Sequence, residues 1–178
     1  PSGEKMAVVE LNIYPKMARE SLLKKAITNI AEYDYVIIDL PPFLSLLTIN
    51  ALNCSQYALV PVNTTFFSIY GIRLLNETIE QIREHLNPQL QILGYVINAY
   101  DRRETETYTV EESLRESLGD QVLKTVIRTN TAIKQSQGER QTIFQYEGEG
   151  GKGVVDFTHL AKEISKRIKS MEQEHAKK

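Results

Sequence analysis

Apolar and polar positions along the chain switch repeatedly between a helical and a strand period. Leu22, Leu23, Ala26, Ile27 and Ile30 recur at helical spacing, which predicts a helix covering one face of a sheet. Val36, Ile37 and Ile38 are consecutive apolar, β-branched residues, so a strand here is expected to be buried on both faces, as in a parallel sheet covered by helices. A second helix is expected from about Leu46 to Leu52, and a short buried strand from Ala58 to Val62. Ile72, Leu75, Ile79, Ile82 and Leu86 make one stripe of a long helix that stops before Pro88, with Gly71 read as a point of close packing or a sharp turn. Leu90 to Ile97 reads as a strand, and residues 98–103 as the loop at its carboxyl end. Thr109-Val110-Glu111-Glu112 reads as a capping box opening a helix, with Val110, Leu114 and Leu118 on one face and Gly119 just past its end. A strand from Val122 to Ile127 follows, and a last helix carries Phe157, Leu160, Ala161, Ile164, Ile168 and Met171 on one stripe. Strands alternating with helices are the signature of an α/β sheet.

Composition narrows the function classes. A chain of 178 residues fits one domain with ample apolar content for a core. A net charge of −2 excludes a generally polycationic nucleic-acid binder, so any DNA contact must come from a local patch. The single Cys54 permits no internal disulfide, and no signal-peptide pattern is present; both set the expectation of a reducing, cytoplasmic setting. Cys54 itself reads as a small core residue of a helix. His85, His159 and His175 show no metal-ligand spacing. No apolar run is long enough to cross a bilayer.

The candidate chemistry begins at Asp39. It closes the apolar run, and in open parallel sheets ligands sit in the crevice beyond the carboxyl ends of the strands. Pro41 and Pro42 forbid helix immediately afterwards and stiffen the turn, which would hold the carboxylate at a fixed distance from a bound ion. The alternative is an ordinary turn residue.

The run Tyr33-Asp34-Tyr35-Val36-Ile37-Ile38-Asp39-Leu40-Pro41-Pro42, with residues 46–52 after it, closely resembles the Walker B and switch II segment of ParA-type partition ATPases. The resemblance continues through residues 58–62, 66–72, 92–103 and 126–130 and into the closing helix, and so covers nearly the whole chain. It implies an α/β fold of three layers, a mostly parallel sheet flanked by helices, of the P-loop NTPase type and its deviant Walker subclass. A Gly-rich phosphate loop ending Gly-Lys-Ser/Thr is nowhere in the sequence, nor is the family's second acidic motif; Pro1-Ser2-Gly3-Glu4-Lys5-Met6-Ala7 resembles the stretch just after that motif. Residues 1–178 are therefore expected to be the carboxyl-terminal part of one ParA-like ATPase domain with its amino-terminal strands missing from this chain.

By that resemblance the complete protein is an ATP hydrolase of plasmid or chromosome partition, and this fragment alone is expected to be inactive without its Walker A loop. ATP and Mg²⁺ are the implied cofactors. Asp39 would bind the Mg²⁺ directly or through water, and Leu40-Pro41-Pro42 would sense the γ-phosphate. Asn98 is the candidate base contact, because an amide offers both donor and acceptor to a purine edge; the alternative is an Asn that stabilises the turn. The turn Arg128-Thr129-Asn130 corresponds to one beside the adenine, reached largely through backbone groups, which makes Arg128 and Asn130 candidate nucleotide contacts. No side chain is singled out as catalytic. A nucleotide-dependent homodimer, non-specific DNA and a ParB-like DNA-bound partner complete the implied cycle, at the nucleoid in the cytoplasm.

Between residues 121 and 140 four basic residues, Lys124, Arg128, Lys134 and Arg140, face the single acid Glu139, an excess of three within an acidic chain. Arg128, Lys134 and Arg140 are the candidate DNA contacts, which would bind phosphates weakly, without sequence preference and with strong salt dependence. The alternative is a solvated face. The family's usual second basic residue in this turn aligns with Ala132. Residues 147–153, Glu-Gly-Glu-Gly-Gly-Lys-Gly, are not a phosphate loop: no buried strand leads in, Gly153 follows Lys152, and two glutamates would repel phosphate. A flexible surface loop is expected there.

Two other functions fit parts of the pattern. From Lys162 to Lys178 there are six basic and three acidic residues, which suits a MinD-like cell-division regulator with a membrane-binding amphipathic tail. Polar residues 172–175 interrupt the apolar face, so core packing is expected over membrane insertion. A non-catalytic scaffold that lost the phosphate loop is the other. Because an interior strand of the family sheet is absent, the strand before Asp39 is expected to need pairing from an upstream segment or another chain. A strand bonded on both sides by its own chain would overturn that expectation.

Overall fold

The computed structural model describes residues 4–28 and 33–175. They form two units: Pro1–Ala58 with Arg73–Gln91, and Leu59–Ile72 with Ile92–Lys178.

The first unit contains helix α1 (Glu4–Ile13), a 3-10 turn (Arg19–Ser21), α2 (Leu22–Ala26), α3 (Leu46–Cys54) and the second part of α4 (Phe66–His85). Helix α3 begins where Ser45 accepts a hydrogen bond from the Leu47 N–H at 3.1 Å, a side-chain N-cap. The helix is amide-lined as well as apolar. Asn50 donates from Nδ2 to the Arg19 carbonyl at 2.8 Å, and its Oδ1 accepts from the Leu23 N–H at 3.1 Å. Asn53 Nδ2 donates to the Glu20 carbonyl at 2.8 Å. Asn87 Nδ2 donates to the carbonyls of Leu52 and Ser55 at 2.9 and 2.8 Å. These amides tie backbone groups of neighbouring segments to one another. The helix expected from Leu22 is therefore only five residues long and packs on α3 rather than on a sheet. Ile30 lies outside the described residues.

The expected strand at residues 36–38 is not formed. Among the described residues, 35–40 form neither helix nor ladder, and Val36 and Ile37 are exposed, Ile37 at 91%. Burial on both faces needs hydrogen-bonded neighbours and covering helices, and among the described residues this segment has no paired strand. Nor is it bonded on both sides by its own chain, the arrangement that would have overturned the expectation of missing partners.

The second unit is built on a three-stranded sheet in the order β1 (Tyr57–Asn63), β2 (Gln91–Tyr100), β3 (Val122–Arg128), with β2 and β3 parallel. Side chains alternate across it as a strand's period of two requires. Tyr95, Ile97 and Val122 join Val62, Ile72 and, from α5 (Thr105–Leu118), Val110 and Leu114 on one face. Val96, Leu123 and Ile127 join Leu160, Phe157 and Ile164 of α8 (Lys152–His175) on the other. The layers are helix, sheet, helix, as the α/β reading expects. Two short helices, α6 (Thr131–Gly138) and α7 (Ile143–Tyr146), connect β3 to α8.

Several boundaries differ from the expected ones. Strand β2 runs to Tyr100, so Asn98 is a strand residue and not a loop residue. Gly71 lies inside α4 with open space around it. Helix α5 begins at Thr105, and Thr109 donates its hydroxyl to the Thr105 carbonyl from within the helix. The capping box is formed instead by Thr142 and Gln145 at the start of α7. Gly119 ends α5 at φ 54°, as expected. Gly94 is needed for close approach: a Cβ there would run into Leu123 Cδ1 and stand 2.9 Å from the Gln121 carbonyl oxygen.

Candidate functional site

In the first unit Asp39 is exposed and makes no hydrogen bond or ion pair among the described residues. Pro41 follows, half-buried. No cluster of three or more His, Cys, Asp or Glu able to hold a metal occurs among the described residues. A lone carboxylate is still compatible with Mg²⁺, which is held by one or two carboxylates with phosphate oxygens and water rather than by an all-protein cage.

In the second unit the carboxyl ends of β1 and β2 bring two amides together. Asn98 Nδ2 donates to Asn63 Oδ1 at 3.1 Å. Beyond them Ala99 has φ 53°, and the pairing shifts from Ile97↔Val126 to Tyr100↔Arg128, three residues of β2 against two of β3. This bulge turns Tyr100 back to the face that carries Ile97, where it meets Tyr108 edge-to-face at 6.2 Å. Burial, then the Glu111 carboxylate bonded to it, pushes the Tyr100 phenol up to about 12. In the following loop Arg103 grips Asp101 and holds its carboxyl down at about 2.

The turn after β3 is anchored by two carboxylates that sequence reasoning missed. Asp156, buried in α8, accepts from Arg128 Nη2 at 2.7 Å, from Nε at 3.0 Å and from the Arg128 backbone N–H at 3.0 Å. Asn130 Oδ1 caps α6 through the Ala132 N–H at 2.9 Å, and its Nδ2 donates to Glu147 Oε1 at 2.9 Å. Glu147 Oε2 in turn accepts from the Gly153 N–H at 2.8 Å, at the start of α8. A Cβ at Gly151 or Gly153 would collide with Glu147 or Ile143, so the glycine cluster makes room for a carboxylate folded back on a helix N-terminus. It is thus an anchored turn, not the expected loose loop. The hydrogen bond from Asn130 is the largest cause of the lowered Glu147 pKa.

Arg128 and Asn130 therefore lie together in one network, whereas Lys134 and Arg140 are exposed on and just after α6 and make no ion pair among the described residues. Asp39 and Pro41 belong to the other unit. The overlooked signal was a single acid, Asp156, inside the apolar stretch Val154-Val155-Asp156-Phe157. A third carboxylate, Glu163, accepts from the backbone N–H groups of Lys124 and Thr125, each at 2.8 Å. Asp156 and Glu163, seven positions apart on α8, thereby close the outer edge of β3.

Among the described residues no helix is long and apolar enough to cross a membrane. A family model described as an AAA domain matches residues 1–92. The chain is 33% identical over 166 residues to the sporulation initiation inhibitor protein Soj of Bacillus subtilis, covering 93% of this chain and 65% of that protein. It is 32% identical over 170 residues to the chromosome partitioning protein ParA of Caulobacter vibrioides, covering 94% of this chain and 63% of that protein. Thus the chain spans just under two thirds of the length of these relatives. Among solved structures, cobyrinic acid a,c-diamide synthase from Mycobacterium smegmatis with bound ATP analog and magnesium superposes with a TM-score of 0.77 at 25% identity, over 96% of this chain and 62% of that one. The order of motifs along the sequence, the parallel sheet between helices and these likenesses agree, and the chain belongs to the AAA-domain family as a member of its ParA-type partition ATPases.

Proposed function

We propose that the complete protein is a Mg·ATP-dependent ParA-like ATPase of plasmid or chromosome partitioning, dimerising with nucleotide and binding DNA without sequence preference. The observation that carries this reading is Asp39, an exposed carboxylate without a protein partner among the described residues, set at the end of an apolar segment and followed by the stiff Pro41-Pro42 turn. Asp39 would hold Mg²⁺, and the Pro41 turn would face the γ-phosphate. Bound Mg·ATP supplies the phosphoanhydride bond that is hydrolysed. On the base side, Asn98 offers an amide. Because the Arg128 and Asn130 side chains are engaged by Asp156 and Glu147, contacts from their turn would come from the backbone. Arg128, through the Nη1 that takes no part in those bonds, would meet DNA phosphates together with Lys134 and Arg140, and a ParB-like partner would act on the nucleoid-bound dimer.

Core packing of α8 supports this reading over a membrane-binding regulator, since Phe157, Leu160 and Ile164 are packed against the sheet. Substituting Asp39→Ala in the complete protein is expected to abolish Mg-dependent ATP hydrolysis while circular dichroism stays native. Near-normal turnover in that variant overturns the assignment, and a wild-type protein that binds but never hydrolyses ATP supports a scaffold instead.

A further inference from the structure

We infer that the open groove between the outer side of β3 and the first turns of α8 is a binding site for phosphate groups, in which Arg102 and Lys124 are the principal donors. The groove has a volume of about 430 Å³, and Arg102, Lys124, Thr125, Arg128, Asp156 and His159 line it. Its charge is set by which acids remain available, and Asp156, Asp101 and Glu163 are each engaged. Asp156 is held by three donors of Arg128. Asp101, next in sequence to Arg102, is held by Arg103. Glu163 accepts from the Lys124 and Thr125 N–H groups and lies 3.8 Å from Arg167. The side chains of Arg102 and Lys124 are exposed and have no hydrogen bond or ion pair among the described residues. Two uncompensated cations thus share one concave surface of a chain whose net charge is −2.

Arg128 adds to them. Its Nε and Nη2 are fixed on Asp156, and its Nη1 takes no part in those bonds. A guanidinium already oriented by a carboxylate loses little freedom when it takes up an anion. A phosphate group, with several acceptor oxygens in a tetrahedron, matches a planar guanidinium fork beside a compact ammonium better than a single carboxylate does. The groove is open, so the phosphate can be carried on a nucleic-acid backbone or arrive free. The first source rests on the DNA binding proposed above and relocates part of it from Lys134 and Arg140 to Arg102 and Lys124; the second does not depend on it.

The test uses the complete protein, as wild type, as the Arg102→Ala/Lys124→Ala variant and as the Lys134→Ala/Arg140→Ala variant. Inorganic phosphate is titrated while the His159 imidazole signals are followed by NMR, and affinity for a short DNA duplex is measured across salt concentrations. For wild type, phosphate is expected to shift the His159 signals, and Arg102→Ala/Lys124→Ala is expected to abolish that shift. If DNA is the source, the same variant also lowers the slope of log affinity against log salt by about two. A His159 response to phosphate without any DNA binding supports the groove as a site for free phosphate and overturns the DNA reading. If wild-type His159 does not respond and only Lys134→Ala/Arg140→Ala lowers the salt slope, the groove is overturned while DNA binding stands. Unchanged phosphate response and unchanged slope in Arg102→Ala/Lys124→Ala also overturn it.

Discussion

The pair Arg128–Asp156 links the candidate site to stability, and a double-mutant cycle measures the link. Asp156 has 8% side-chain exposure and Arg128 has 37%, so the two single substitutions leave different remainders. Removing Asp156 frees a guanidinium that water can reach, but strands the Arg128 backbone N–H on the outer edge of β3. The orphaned N–H costs about 1–3 kcal/mol, and the lost charge-assisted bonds add less because Arg128 is partly solvated, so Asp156→Ala is expected to destabilise by about 2–3 kcal/mol. Removing Arg128 leaves a buried carboxylate with one backbone donor, and Arg128→Ala is expected to destabilise by about 2–4 kcal/mol, at or below the range for breaking a buried pair. The double variant removes both groups, so a coupling of about 1–2 kcal/mol is expected. Urea unfolding of all four proteins followed by circular dichroism gives the cycle. Free energies that add within about 0.5 kcal/mol would refute the argument that the pair acts as a unit. The outcome bears on function, because a loss of DNA binding in Arg128→Ala then reports a loosened β3–α8 joint as well as a missing phosphate contact.

Three further outcomes follow from the same geometry. Gly94→Ala is expected to destabilise by about 1–3 kcal/mol in thermal unfolding, since Leu123 is fully buried and the Gln121 carbonyl is backbone; a stability equal to wild type would show that the strands move apart freely. For Glu163, burial raises the pKa, but the Thr125 hydroxyl, the Lys124 and Thr125 N–H groups and Arg167 outweigh it, so the folded-state value is lowered. Its stabilisation is therefore complete above the ordinary carboxylate value near about 4.3 and is lost as pH falls through the lower folded value; Glu163→Gln should flatten the acid limb of the stability profile, and an unchanged limb would contradict this. Tyr100 is expected to titrate near 12 in NMR spectra of the tyrosine rings, and Glu111→Gln should bring it down toward the ordinary value of about 10, whereas titration at the ordinary value in wild type would contradict the burial argument.

Periodicity alone determined β1, the body of β2, β3, α4 and α8, because the apolar repeat of a strand or helix is a local property of consecutive residues. The family could be read for a similar reason: its motifs are contiguous strings in a definite order, from residues 33–42 to residues 126–130. Interactions between distant residues could not be read this way. Val36-Ile37-Ile38 carries the composition of a buried strand, yet a strand exists only where a neighbour supplies hydrogen bonds, and among the described residues, 35–40 have no such neighbour. Thr109-x-x-Glu112 and Thr142-x-x-Gln145 have the same capping pattern, and only the second is used, because α5 had already begun at Thr105. Arg128 looked like a free cation until the fold placed Asp156, 28 residues away, against it. The glycines of residues 147–153 have their meaning only because Glu147 folds back onto the start of α8. Local pattern determines which elements a segment can form. Which hydrogen-bonding and charged groups remain available for a ligand depends on partners distant in sequence, and only the tertiary structure decides that.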